Sequence, residues 1–180
     1  MWQTRTPRPS KLIVGILAAG RQALTAAAAA LAEAFGPIDA TSDIWPFTHT
    51  DYYKDQIGPE ILRQFVSHAR LVMPDQLAPI KLETNTIEQG LAHSLALPWP
   101  RPVNLDPGLI EPSRLTLAST KDYCHRVYLR DGIYAEVTLV YKKGMWLSMP
   151  YTYPDYQQPH YHAFFSAVRA RLIEQLRDQQ

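Results

Sequence analysis

The alternation of apolar and polar positions is clearest between Leu115 and Met149. Side chains from Ile133 to Tyr141 alternate with a period of two, which is typical of a half-buried strand. Turn signals stand on both sides of this run, at residues 131–132 and 142–144. The pattern therefore predicts three antiparallel strands joined by two tight turns, a C-terminal antiparallel meander.

The turn at residues 130–132 decides which side chains of the first two strands share a face. A three-residue loop with Gly132 in the left-handed region sets Val127 against Ala135 and places Leu129 and His125 on the same apolar side. The same kind of loop at residues 142–144 would place Met145, Leu147 and Met149 on the apolar face as well.

The opposite face of this sheet is polar. The register pairs Tyr128 with Tyr134 and Arg126 with Glu136, and such cross-strand pairs contribute roughly 0.2–1 kcal/mol each. Two interpretations remain open. The face is either solvated and stabilised by an ion pair, or it is the floor of a polar ligand site that also includes Thr138.

The rest of the chain predicts helices and further strands. The apolar run from Lys11 to Leu17 indicates a buried central strand, and the alanine-rich run from Arg21 to Phe35 a helix that stops at Gly36. We expect strands over 38–47 and 65–73, a helix starting near Pro79 and a final helix from Pro159. Residues 98–112 contain five prolines and predict an extended connection, with a turn over 104–108.

Together these elements predict an α+β fold. We expect a single domain over residues 11–180, preceded by a flexible arm over residues 1–10. Its mixed sheet would have about six strands, including the C-terminal meander, with helices packed on one face.

Composition narrows the classes of function. The chain has 180 residues, 46% of them hydrophobic, and a formal net charge of +1, which does not favour general nucleic-acid binding. The single cysteine, Cys124, excludes an intrachain disulfide and fits a reducing compartment. The apolar run at 12–19 is too short to span a membrane, so we expect a cytoplasmic protein.

Three Asp-Tyr steps, at 51–52, 122–123 and 155–156, hold the candidate chemistry. Histidines stand near the first two steps, and Asp with His can bind a divalent ion or transfer protons. Lys121 and Arg126 could neutralise an anionic substrate. The candidate catalytic residues are His49, Asp51, Asp122, His125 and Glu136. Ligand binding is assigned to Lys121, Arg126, Tyr128 and Tyr134, and a possible divalent metal to Asp51, Asp106 and Asp122.

Each of these residues also has a structural interpretation. Asp and Thr side chains in such loops often only cap turns, and the structural interpretation of His125 is a satisfied histidine at the edge of the core. The chain contains no HExxH, CxxC, GxSxG or Walker pattern.

Several sequence motifs occur in a fixed order: KLIVGIL, FGPID, PFTHTDYY, IKLETNTIE, RPVNLDPGLI, LASTKDYCHRVYL, GIYAEVTLVYKKG and YTYPDY. In this combination the chain resembles a bacterial conserved-hypothetical family classed as a domain of unknown function. The resemblance extends from about Lys11 to about Leu172, and it implies no established activity.

Two hypotheses of function follow. The first is a small enzyme or ligand-binding domain for an anionic, phosphate-bearing small molecule, with possible help from a metal. The alternative is a non-catalytic interaction domain that uses an exposed aromatic sheet face. Convergence of the Asp-Tyr loops in one concave pocket would favour the first.

Overall fold

The computed structural model describes residues 2–48 and 53–178, and of residue 54 only the backbone. These residues form nine strands and four α-helices. The strands are β1 (Ser10–Ala19), β2 (Ile38–Thr41), β3 (Trp45–Pro46), β4 (Ile61–Val72), β5 (Val103–Glu111), β6 (Arg114–Ser119), β7 (Val127–Arg130), β8 (Ile133–Lys142) and β9 (Met145–Ser148). The helices are α1 (Gly20–Phe35), α2 (Lys54–Ile57), α3 (Leu77–Leu95) and α4 (Pro159–Arg177).

All nine strands belong to one antiparallel sheet with the order β2-β4-β1-β5-β6-β8-β7. Short strands β3 and β9 pair with β4 and β8 outside this path. The α+β class and the central position of the first strand are confirmed. The prediction of a mixed sheet of about six strands is wrong, because residues 38–47 form two short strands and residues 103–119 form two more.

Helices cover both faces of the sheet. Alternate residues of β1, such as Leu12 and Val14, join the core under α1 and α3. Ile13 points the other way and packs with Phe65 and α4. Because β1 has apolar side chains on both faces, both faces of the sheet must be shielded from water by helices. The expectation of helices on one face is therefore wrong.

The C-terminal hairpins do not form a simple meander. Strand β8 pairs with β6 along one edge, from Tyr134 to Val140. Both β7 and β9 pair with the other edge of β8, one near each end. Both connections are two-residue turns in which each residue has positive φ: Asp131-Gly132 and Lys143-Gly144. The predicted three-residue loops are wrong.

The predicted pairs in the first hairpin are nevertheless present. Val127 lies opposite Ala135 and Tyr128 opposite Tyr134, because a register shift near Leu129 compensates for the shorter turn. The second hairpin has no such shift, so Trp146 is buried there while Met145 and Leu147 are exposed.

A β-bulge in β8 changes the face of the sheet to which the following side chains of this strand point. Leu117 pairs with Glu136 and Leu115 with Leu139, so one extra residue of β8 lies between the two pairs. Ile133 consequently packs under α1 and α3, whereas Leu139 packs under α4. Strict alternation over the whole strand was therefore a wrong prediction.

The segment over 104–108 is part of strand β5 and not a turn. It pairs with β1 from Val103 to Ile110. Pro107 is accommodated because pairing with β6 begins only at the next residue, Gly108. This strand places Asn104 and Asp106 on one face of the sheet.

Strand β4 and helix α3 begin a few residues before their predicted first residues. Strand β4 begins at Ile61, four residues before the predicted start, and α3 begins at Leu77. Pro79 lies in the first turn of α3, where its missing N–H breaks no helical hydrogen bond. Within the described ranges, no helix is long and apolar enough to cross a membrane.

Candidate functional site

A cavity of about 430 Å³ lies on the face of the sheet that α4 partly covers. Its floor is built from alternate residues of three strands: Asn104 and Asp106 of β5, Leu117 and Ser119 of β6, and Glu136 of β8. The short 3-10 turn over 154–157, directly before α4, supplies one wall.

Charged side chains of both signs line the cavity. The basic ones are Lys81, Arg101, Lys121 and Arg126, and the acidic ones are Asp106, Glu136 and Asp155. Each of these three carboxylates has a cationic partner, described below. Four basic and three acidic side chains leave the described lining with a small excess of positive charge, although Asp106 and Asp155 share one cation, Arg63.

The Arg63 cluster consists of Arg63, Asp106 and Asp155. The Arg63 side chain is buried, with Nη2 at 2.9 Å from Asp155 Oδ2 and Nη1 at 3.5 Å from Asp106 Oδ2. Its guanidinium carbon lies 5.3 Å from the Phe65 ring centroid and 5.8 Å from that of Tyr156. Aromatic faces of this kind attract a cation.

Electrostatics keep this arginine charged. Burial alone would lower the pKa of Arg63, but Tyr156, Asp155 and Asp106 outweigh that effect and raise it. Burial also raises the pKa of the Tyr156 hydroxyl well above its usual range, so this hydroxyl stays protonated at neutral pH.

Close packing around Gly15 holds the cluster in place. A Cβ atom at this position would lie 2.8 Å from Arg63 Nη1, 2.9 Å from Phe65 Cε1 and 3.2 Å from the Tyr156 hydroxyl. Because only glycine leaves this space open, β1 contributes to the site through a missing side chain.

The Glu136 cluster consists of Glu136, Arg126 and His125. The carboxylate is 2% exposed and accepts hydrogen bonds from Arg126 Nε at 2.9 Å and His125 Nε2 at 3.1 Å. Thr138 donates to its other oxygen at 3.1 Å. Arg126 Nη1 donates further to Ser119 Oγ and to the Lys121 carbonyl.

Aromatic rings complete this second cluster. His125 stacks on Tyr151, with ring centroids 4.2 Å apart, and on Tyr123 at 5.8 Å. The Tyr151 hydroxyl donates to the Val137 carbonyl at 3.1 Å. Burial, followed by the charge of Glu136, raises the pKa of Tyr151.

A third group of charges anchors the beginning of β5. Glu88 accepts two hydrogen bonds from Arg101, at 2.9 and 2.6 Å, and one from the Leu105 backbone N–H at 2.6 Å. Lys81 Nζ donates to the Leu105 carbonyl at 2.8 Å. Although burial raises the pKa of Glu88, the two cations and these hydrogen bonds act in the opposite direction.

A model of one protein family matches residues 8–172 of the chain, and its description is Domain of unknown function (DUF4416). The chain belongs to this family. No curated protein and no solved structure matches the chain. The resemblance drawn from the sequence motifs is thus confirmed, and the DUF4416 match includes every residue of the Arg63 and Glu136 clusters.

Within this DUF4416 domain, the structure brings together part of the predicted site. Lys121, Arg126 and Glu136 line the cavity with Asp106, and Arg126 pairs with Glu136 as the register predicted. Both side chains are almost fully buried, so this ion pair is not solvated, whereas Tyr128 of the same predicted face is 57% exposed.

Other predicted residues lie beside the cavity. His125 contacts Glu136 rather than the apolar side, because residues 120–126 form a loop and not a continuation of β7. Asp122 is exposed and close to Tyr134, whose pKa is raised by burial and then by Asp122. Tyr128 packs edge-on against Tyr134, 5.3 Å between ring centroids.

The first Asp-Tyr step cannot be placed. His49, Asp51 and Tyr52 lie outside the described residues, although Phe47 and Tyr53 on either side line the cavity. Of the candidate metal ligands, Asp106 faces Arg63 and Asp122 is exposed. In the part of the chain that the structure describes, no three His, Cys, Asp or Glu side chains are grouped to hold a metal ion.

Sequence reasoning missed Arg63 and Asn104. The predicted strand starts at Phe65 and so excludes Arg63, yet Arg63 precedes Phe65 by two residues in β4 and shares its face. Asn104 and Asp106 were assigned to a turn because of Pro107. Their i, i+2 spacing was the available signal, since it places both side chains on one side of a strand.

Proposed function

We propose that this domain binds a small anionic molecule in the cavity. The observation that supports the proposal is the state of the cavity's charges. Its three described carboxylates are each paired with Arg63 or Arg126, while Lys81 and Lys121 add further positive charge to the lining. A concave site whose described lining has four basic and three acidic side chains, with each acid beside a cation, favours an anion near its lysines.

The walls suit an organic ligand rather than a bare ion. Aromatic rings of Phe47, Tyr53, Tyr123, Tyr153 and Tyr156 line the cavity. Binding sites for small molecules typically measure 300–1,000 Å³ and combine apolar or aromatic walls with a few polar groups, and the volume of about 430 Å³ falls in that range. Phosphate and carboxylate groups both fit this chemistry.

Isothermal titration calorimetry tests the proposal. The titrants are inorganic phosphate, sugar phosphates, nucleotides and small dicarboxylates, each with and without Mg²⁺ or Mn²⁺. We expect at least one class of anion to bind, with an affinity that falls as salt is added. Failure of every anion to bind would refute the proposal.

A matched pair of variants locates the binding. Lys121→Gln removes a cation at the cavity, and we expect it to weaken binding about tenfold, the effect of losing a charged hydrogen bond of about 1.4 kcal/mol. Lys142→Gln makes the same change at an exposed position at the end of β8 and should leave the affinity unchanged. Equal affinities for both variants would place the anion elsewhere.

A second candidate function is protein binding along the sheet edge formed by β7 and β9. This edge exposes Val127 (69%), Tyr128 (57%) and Met145 (57%), and exposed edge strands can pair with another strand. Sedimentation velocity over a range of concentrations tests it, by comparison with Val127→Glu. If the unmodified protein and the Val127→Glu variant are both monomeric at every concentration, this edge does not mediate self-association.

A further inference from the structure

We infer that the molecule bound in the cavity carries hydroxyl groups beside its anionic group, as a phosphorylated sugar or polyol does. The inference rests on the proposed function, since it concerns the same cavity. It depends on three polar side chains of the cavity: Asn104, Asp106 and Tyr156.

The strand register places these groups in one region of the sheet. Leu17 of β1 is paired with Arg63 on one side and with Asn104 on the other, and Gly15 is paired with Asp106. Directly paired residues and residues two apart on a strand project to the same face. Asn104 and Asp106 therefore stand side by side, next to the Arg63 cluster.

Two of the three groups have polar atoms without partners. Asn104 is 3% exposed and lines the cavity, and its Nδ2 atom finds no hydrogen-bond acceptor within residues 2–48 and 53–178. The buried Tyr156 hydroxyl likewise has no partner within those ranges. Buried polar groups are normally hydrogen-bonded, so these atoms indicate a place for a polar ligand.

The third group supplies an acceptor. Asp106 is 28% exposed at its side chain and its cationic partner, Arg63 Nη1, is 3.5 Å away, which is too long for a strong hydrogen bond. Since Arg63 lies beneath the carboxylate in the protein, the exposed part of Asp106 can accept a hydrogen bond from a ligand.

This mixture of donors and acceptors distinguishes hydroxyl groups from anions. Asn104 Nδ2 donates, the Asp106 carboxylate accepts, and the Tyr156 hydroxyl does both. An anionic oxygen can only accept and would be repelled by Asp106. A ligand hydroxyl can accept from Asn104 and donate to Asp106 at once.

The opposite side of the cavity suits the anionic group. Lys121 and Arg126 lie in the loop after β6, which is separated from β4 in the sheet by β1 and β5. The ligand would then place its phosphate or carboxylate near Lys121 and its hydroxyls over β5. A sugar phosphate has this arrangement, as does a sugar acid.

Matched ligands test the inference by calorimetry on the full chain. Glycerol 3-phosphate and n-propyl phosphate differ only in two hydroxyls, as do glycerate and propionate, and inorganic phosphate reports the anion alone. Ribose 5-phosphate extends the series to a sugar. We expect the hydroxylated member of at least one pair to bind at least about tenfold more tightly, because a site built to bond hydroxyls discriminates against an analogue without them. The pair that discriminates identifies the anion as phosphate or carboxylate.

The variant Asn104→Leu assigns the discrimination to this region. The volume is similar and the unpartnered amide loses no protein hydrogen bond through Nδ2, so folding should be retained. We expect the preference for the hydroxylated ligand to fall at least about threefold, and Gln22→Leu, at an exposed position of α1 away from the cavity, to keep it. A preference that survives in Asn104→Leu would overturn the inference.

The remaining outcomes separate the two proposals. If an anion binds but neither pair discriminates, so that n-propyl phosphate and propionate each bind as tightly as their hydroxylated counterparts, the inference is wrong while the anion site stands. If neither inorganic phosphate nor any organic anion binds, the proposed function fails, and the inference fails with it.

Discussion

The Arg63 cluster and the Glu136 cluster are both buried charge groups on one face of the sheet, yet they differ in how completely they are bonded. Glu136 receives hydrogen bonds from Arg126, His125 and Thr138. In contrast, the Nε and Nη1 atoms of Arg63 have no hydrogen-bond partner among the residues that the structure describes. Each cluster contains a buried arginine beside a buried carboxylate, but Arg63 faces two carboxylates and, within the described residues, is less completely hydrogen-bonded.

This difference separates a structural role from a ligand-facing role. The Glu136 cluster is complete within the protein and fastens the loop over 120–126 to β8. The Arg63 cluster stands beside unpartnered atoms of Asn104 and Tyr156 and supports a partly exposed carboxylate, Asp106. Incomplete hydrogen bonding is therefore the better guide to where a ligand binds in this domain.

The largest effect is expected from Arg63→Met. Removing the cation leaves the carboxylate of Asp155, which is 5% exposed, buried without its partner. Loss of one member of a buried ion pair costs about 3–5 kcal/mol, and we expect this decrease in the free energy of unfolding. Urea unfolding followed by circular dichroism measures it.

Arg70→Met is the matched control for this change. Arg70 lies on the same strand, β4, but is exposed, so its replacement should alter the free energy of unfolding by less than about 0.5 kcal/mol. Similar losses in the two variants would mean that Arg63 does not hold the cluster together.

A smaller loss is expected from Glu136→Gln. The amide keeps an acceptor oxygen but removes the charge that compensates Arg126, whose side chain is 4% exposed. We expect the free energy of unfolding to fall by about 2–3 kcal/mol, below the loss at Arg63, because part of the hydrogen bonding survives. Asp122→Asn, the same chemical change at an exposed site, should cost under about 0.5 kcal/mol. A cost for Glu136→Gln as small as this would contradict the structural role.

The two clusters also differ in how far the sequence predicted them. The contact between Arg126 and Glu136 is local, since Arg126 directly precedes β7 and Glu136 lies on β8, the strand that pairs with β7. Arg63, Asp106 and Asp155 come from three elements far apart in the sequence, and their contact depends on the order of strands in the sheet. The periodicity of apolar and polar residues along the chain does not specify the order of strands in the sheet.

The fold shows the same limit. The helix at Arg21–Phe35 and the central position of β1 were predicted correctly, because apolar runs and stop signals act locally. Strand β5 was missed because Pro107 suggests a turn, and the bulge in β8 because it depends on pairing with β6. These features are decided by neighbouring strands rather than by the segment itself.

Gly15→Ala tests the packing that holds the Arg63 cluster. The new methyl group would crowd Arg63 Nη1 and Phe65 Cε1, at 2.8 and 2.9 Å. Overpacking of this kind costs about 1–3 kcal/mol, and we expect a loss of about 1–2 kcal/mol because the end of the arginine side chain can shift slightly. Thermal unfolding, together with ligand titration, would show both the loss of stability and a displaced site.

The glycine at position 90 is a suitable control. Gly90 lies inside α3, and a Cβ there would meet nothing within 4 Å. Gly90→Ala should therefore raise the free energy of unfolding by about 0.5–1 kcal/mol through helix propensity. If both alanine variants were stabilised, the contacts around Gly15 would not constrain Arg63.

The smallest and most selective test compares one tyrosine from each region. The Tyr151 hydroxyl donates to the Val137 carbonyl, so Tyr151→Phe should lower the free energy of unfolding by about 0.5–1.5 kcal/mol. Tyr156→Phe removes a buried hydroxyl that has no partner in the described part of the chain, and we expect a change within about 0.5 kcal/mol. If a ligand hydroxyl bonds Tyr156, the same variant should weaken the binding of a hydroxylated anion while Tyr151→Phe leaves it unchanged. A clear loss of stability in Tyr156→Phe would show that its hydroxyl is already bonded within the protein, and the contrast between the two clusters would then disappear.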